Sequence, residues 1–149
     1  MLNKESGFNL IELMIVIAIM ATLAAIAIPS YSHYLNKSRA ISAVVLTEPV
    51  RTTITEYAMM HNGDLGAVSN QSLDMSSEDL VSGSKDLTSI SIAGEGPTSV
   101  KIIATLADNL GALTWTGQFM AKTESMVWQC TYPSDTPLAH YAPSGCEPE

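Results

Sequence analysis

The 149-residue chain carries 15 acidic against 7 basic residues, for a formal net charge of −8, and its mean hydropathy is +0.18 with 46% hydrophobic residues. That length holds one domain of moderate size besides a membrane segment. The acidic balance argues against broad phosphate-backbone binding, which needs clustered Lys and Arg, and the apolar residues are concentrated in the first fifth, so the remainder reads as a polar globule.

In chain order, a short polar segment Met1–Gly7, in which Glu5 cancels Lys4, leads into Gly7-Phe8-Asn9-Leu10-Ile11-Glu12-Leu13. An apolar run then reaches Ile28 and stops at Pro29, and from Leu13 to Ile28 the only polar side chain is Thr22. Phe8 to Ile28 is 21 residues, roughly 32 Å as helix, about one bilayer hydrocarbon core. Glu12 interrupts this apolarity. A carboxylate inside a membrane costs on the order of 3 kcal/mol and needs a partner.

Glycine, phenylalanine, a glutamate five residues past the glycine and about 20 apolar residues together resemble the class III signal of type IV prepilins. The resemblance implies that a membrane peptidase cuts between Gly7 and Phe8 and methylates the Phe8 nitrogen. The family usually has Thr after the phenylalanine; Asn9 keeps that position small and polar. A cut there gives Phe8 a cationic amine, which Glu12 of the same or of a neighbouring helix can neutralise. Between staggered subunits such a pair fixes the register of stacked apolar helices, because charge pairing at low dielectric penalises wrong registers. Two other readings compete. One is a secretory signal peptide cleaved after Ala25-Ile26-Ala27, for which the apolar run is too long. The other is a plain single-pass anchor.

Ser30–Met60 continues as helix, with Tyr31, Tyr34, Leu35, Ile41, Val44, Val45, Ile54, Tyr57 and Ala58 as its apolar stripe. Pro29 and Pro49 each lack an N–H and crowd the preceding turn, so each is expected to kink this helix of about Phe8–Met60 without ending it. His61-Asn62-Gly63-Asp64 supplies the stop. Ile28-Pro29-Ser30-Tyr31, Tyr34, Leu46-Thr47-Glu48-Pro49-Val50, Glu56-Tyr57 and Asn62-Gly63 extend the resemblance to the first helix of type IVa major pilins.

Gly63 to about Asp86 reads as a long loop with a helical turn near Ser76–Leu80. In pilins the matching segment lies on the subunit surface and contributes to lateral contacts. Four strands follow: Thr88–Ala93, Thr98–Leu106, Ala112–Met120 and Glu124–Cys130, separated by turns at Gly94-Glu95-Gly96-Pro97 and Asp108-Asn109-Leu110-Gly111. Short connections make them an antiparallel meander whose apolar face, with Trp115 and Trp128, meets the helix after Pro29. The expected fold is α+β, one long helix on a four-stranded antiparallel sheet.

Cys130 and Cys146 enclose 15 residues including Pro133, Pro137 and Pro143, where little regular structure is expected. In an exported domain the default is one disulfide closing a C-terminal loop. The resemblance implies that this loop is exposed on the filament. There is no C-x-x-C, and His33, His61 and His140 are scattered, so neither a metal nor a cofactor is expected. Gly94-x-Gly96 lacks a third glycine, no serine lies in a G-x-S-x-G turn, and Glu78-Asp79 falls in a loop, so an enzyme is not expected.

The expected organisation is therefore a leader at 1–7, a membrane and filament-core helix at 8–29 and a head at 30–149. The resemblance implies a structural subunit that polymerises into a type IV pilus for adhesion, twitching motility or DNA uptake. Its implied partners are itself, the prepilin peptidase and methyltransferase, the assembly machinery of the inner membrane, minor pilins and, before assembly, the membrane. Implied localisation is a single pass through the inner membrane, then the extracellular pilus. A minor pilin or type II secretion pseudopilin is the alternative, and a membrane-anchored binding protein that never polymerises is a second.

Overall fold

The computed structural model describes Gly7 and residues 9–149. Helix α1 runs Leu10–Met60 over 51 residues. Then come a short helix α2 (Ser77–Val81), strands β1 (Leu87–Gly96), β2 (Ser99–Leu106), β3 (Ala112–Met120) and β4 (Ser125–Tyr132), a 3-10 turn at Pro137–His140, and β5 (Cys146–Pro148). The chain divides into two units, Met1–Leu35 and Asn36–Glu149.

In the first unit every described residue from Asn9 to Tyr34 is exposed. The Leu, Ala and Met of this run lose little rotamer freedom in a helix and favour it, whereas its isoleucines and Val16 are β-branched and favour it less. None of its apolar side chains is covered by its own chain. Tyr31 and Tyr34, expected in the stripe against the sheet, are among the exposed residues.

The second unit is an α+β domain. The last six turns of α1 bury Ala40, Ala43, Thr47, Val50, Ile54 and Ala58, at three- and four-residue spacings. This corrects the sequence-based stripe, in which only Ile54 and Ala58 are fully buried; Val44 and Tyr57 are half-buried, and Ile41 and Val45 face outward. Small residues set the packing. Alanines at 40 and 43 are fully buried, whereas Ile41 and Val45, which dominate a hydropathy pattern, are exposed. Buried Thr47 satisfies its hydroxyl on its own helix, donating to the carbonyls of Ala43 and Val44 at 2.9 and 3.0 Å.

The helix stops as its residues dictate. Asn62 and Gly63 take left-handed conformations (φ 52° and 83°), and the Gly63 N–H donates to the Ala58 carbonyl at 2.7 Å, the outer bond of a Schellman cap. A Cβ on Gly63 would lie 2.2 Å from the Phe119 ring, so glycine also leaves room for that core aromatic.

The sheet runs β1-β2-β3-β4-β5. β1 to β4 form the expected antiparallel meander, with Ile102 opposite both Ile92 and Trp115. β2 alternates as read: Val100, Ile102, Ala104 and Leu106 are buried against α1. Trp115 is buried, while Trp128 is half-buried over Gly117. The sheet has five strands rather than four. β5 is three residues long, ends in Pro148 and pairs parallel with β4, so it carries no alternation to read; the covalent bond sets its register by placing Cys146 opposite Cys130.

The disulfide itself is formed, with Cα atoms 4.5 Å apart. The loop it closes is more ordered than its prolines suggested. Its 3-10 turn buries Leu138, whose N–H donates to the Leu110 carbonyl at 2.9 Å.

Candidate assembly site

The apolar half of α1 is the feature that calls for a function. Its most hydrophobic window has a mean hydropathy of 2.6, none of it is buried, and by length and composition it suffices to cross a membrane. Exposing some twenty apolar side chains to water is unfavourable by about 25 cal/mol per Å², so this surface belongs in lipid or against other apolar helices.

At its start, Asn9 and Glu12 cap the helix reciprocally. The Asn9 Oδ1 accepts from the Ile11 N–H at 3.3 Å, and the Glu12 carboxylate accepts from the Asn9 N–H at 3.2 Å. This satisfies two N–H groups that the first turn leaves without helical partners, and it places negative charge at the positive end of the helix dipole. The sequence signal for this cap is N-x-x-E at the start of the apolar run, which gives Asn9 a role beyond being small and polar. Phe8, the other half of the expected charge pair, lies outside the described residues.

Pro29 sits within α1, which continues through it. Having no N–H, it leaves the Ala25 carbonyl without its helical donor. Hydroxyls cluster around this point: Ser30 Oγ donates to the Ile26 carbonyl at 3.1 Å and Ser32 Oγ to the Pro29 carbonyl at 2.9 Å.

Further along α1, Arg39 joins three parts of the head. Its guanidinium pairs with Asp108 in the β2–β3 turn at 2.6 Å and with Asp86 ahead of β1 at 3.8 Å, and it donates to the Asn36 side chain at 3.3 Å. Arg51 pairs with Glu48 and lies 5.9 Å from the centre of the Trp115 ring. Among the described residues, no group of three or more His, Cys, Asp or Glu side chains could hold a metal ion.

The structure thus combines an uncovered apolar helix, long enough by length and composition to cross a membrane, with a small disulfide-closed α+β domain built on the later part of the same α-helix. Comparison with known proteins narrows this. The pilin profile, described as a bacterial filament family, matches residues 36–147, and the chain belongs to that family. The prokaryotic N-terminal methylation motif matches residues 2–28.

Relatives include the type IV major pilin protein PilE of Neisseria gonorrhoeae, 40% identical over 75 residues that span 46% of this chain and 45% of that protein. Prepilin peptidase-dependent protein D of Escherichia coli is 44% identical over 62 residues, 42% of each chain. A fimbrial protein of Pseudomonas aeruginosa is 29% identical over 154 aligned residues, 97% of this chain and 98% of that one. The matches to the Neisseria and Escherichia relatives thus span less than half of those proteins. No solved structure matches the chain significantly.

Proposed function

We propose that this protein is the structural subunit of a type IV pilus, polymerising through the apolar half of α1. The observation that carries the reading is the uncovered run from Leu10 to Ile28, interrupted at its start by the single carboxylate of Glu12. Membership of the pilin family, the methylation motif and the names of the relatives support it.

In this reading Met1–Gly7 is a leader removed between Gly7 and Phe8, and the new Phe8 nitrogen is methylated. Residues 8–29 hold the subunit in the inner membrane as a single pass, with residues 30–149 outside. On assembly the helix moves from lipid into a protein core. Both environments are apolar, so the hydrophobic effect gives little net drive, and helix packing and charge pairing must supply the specificity. The Phe8 ammonium against Glu12 of a neighbouring copy fixes the stagger. Glu12 reaches back over the first turn to the Asn9 N–H, so its carboxylate is held at the positive end of its own helix. Pro29, which withholds a donor from its own helix, is the place for the helix to bend within the fibre. Assembly machinery in the inner membrane, the prepilin peptidase and minor pilins are the partners the reading requires. The extracellular fibre is the final location.

Mass spectrometry of fibres sheared from the cell surface tests this. The expected result is an abundant chain beginning at a methylated Phe8. Fibres lacking the chain, or a purified chain beginning at Met1 or beyond Ala27, would refute it.

A further inference from the structure

The outer edge of β1 is closed by side chains and loop rather than by another strand. Residues Ile90, Ile92 and Gly94 turn backbone groups away from β2, and their three N–H groups and the Ile90 carbonyl find partners in the segment 68–77. The Gly94 N–H donates to the Val68 carbonyl at 2.8 Å. The Ile92 N–H donates to Asn70 Oδ1 at 2.7 Å, while Asn70 Nδ2 donates to the Ile90 carbonyl at 3.0 Å. The Ile90 N–H donates to Ser77 Oγ at 3.0 Å. Asn70 thus presents one donor and one acceptor at strand spacing, as the backbone of a neighbouring strand would. The segment is pressed close: Leu65 and Val68 are buried, and a Cβ on Gly94 would lie 2.3 Å from the Leu65 carbonyl oxygen.

At the other side of the sheet β5 covers only Cys130–Tyr132, so Ser125–Gln129 of β4 has no strand partner on its outer edge among the described residues, and Val127 there is exposed. A free strand edge is a template for another chain. A sheet that spreads from copy to copy needs the β1 edge of one copy to meet the β4 edge of the next, a head-to-tail contact without closure, whereas β4 against β4 ends as a pair.

We propose that residues 65–77 form a strap sealing the β1 edge, with the Asn70 carboxamide as its clasp, and that this seal keeps the sheets of neighbouring copies from joining. Its importance for assembly rests on the pilus reading, in which tethered heads meet at high effective concentration; the seal itself does not.

The test uses the purified full-length chain in detergent micelles, where no filament is needed, so a failure of the pilus reading leaves the outcome unaffected. In Asn70→Ala the Ile92 amide is expected to exchange about tenfold faster, the loss of one hydrogen bond. Light scattering is expected to show larger oligomers than the parent, and Val127→Lys on the open β4 edge is expected to suppress them. Asn70→Asp keeps the acceptor for Ile92 but loses the donor for Ile90, and should fall between. Tryptophan fluorescence confirms that the head remains folded. Unchanged protection of Ile92, parent-like scattering with Ile92 exposed, or oligomers indifferent to Val127→Lys would each overturn the proposal.

Discussion

Gly63 and Gly83 have almost the same backbone conformation, φ +83° and +84°, but different surroundings, so alanine at each separates backbone strain from crowding. At Gly83 a Cβ meets nothing within 4 Å. Gly83→Ala should therefore show only the left-handed penalty, roughly 1–2 kcal/mol. At Gly63 the Cβ would lie 2.2 Å from Phe119 Cδ1 and 2.5 Å from Cε1. Phe119 is buried and cannot step aside without leaving the core, which adds about 1–3 kcal/mol of overpacking. Gly63→Ala should thus destabilise the head by about 2–5 kcal/mol in all, at about 4 °C in Tm per kcal/mol for a domain of this size. Thermal unfolding of the full-length chain in detergent, followed by the near-UV signal of Trp115 and Trp128, measures both. Replacing Phe119 with Leu should bring the Gly63→Ala cost toward that of Gly83→Ala. Equal shifts for the two glycines, with no response to Phe119→Leu, would show that the ring contact carries no energy.

Gln at position 12 can still accept from the Asn9 N–H but carries no charge, so Glu12→Gln and Glu12→Ala should both be inserted and cleaved yet fail to enter fibres. Normal fibre yield from Glu12→Gln would leave helix capping, not charge, as the role of the residue. Replacing both Cys130 and Cys146 with Ser should lower head stability by roughly 3 kcal/mol, the loop-entropy value for a closure of this length, read as a drop in the denaturant midpoint. Ala43→Leu should destabilise by about 1–3 kcal/mol because position 43 faces the sheet, while Val45→Leu on the outward face should stay within about 0.5 kcal/mol; the opposite order would return the helix to the stripe read from hydropathy. Arg39→Ala should cost about 1 kcal/mol or less, since its two ion pairs are partly solvated, and high salt should erase most of the difference.

The parts of the fold visible in the sequence were those where period and composition agree. The β2 run Val100-Lys101-Ile102-Ile103-Ala104 alternates cleanly and packs as read. Asn62-Gly63 marked the helix end because only a few residues tolerate the left-handed turn it requires. Elsewhere tertiary contact overrode local pattern. The buried face of α1 begins with Ala40, Ala43 and Thr47, whose small side chains are nearly silent in a hydropathy profile although they are fully covered. β5 has no pattern of its own and exists because Cys146 is tied opposite Cys130. At the start of α1 the carboxylate of Glu12 stands out by its cost in an apolar run, but its contact with Asn9 is legible only from the N-x-x-E spacing of a cap. Asn70 gave no signal at all, since a side chain that substitutes for a strand leaves no periodicity.

The disulfide-closed segment is moored rather than packed throughout. Between the two cysteines only Leu138 is fully buried, with the backbone bond from its N–H to Leu110 holding it from below. Ser134, Asp135 and Ser144 are exposed, so their identities bear little on whether the domain folds, whereas Gly145 is held to glycine by its left-handed φ of 102°. Those three outward positions can change chemistry while the scaffold beneath stays the same.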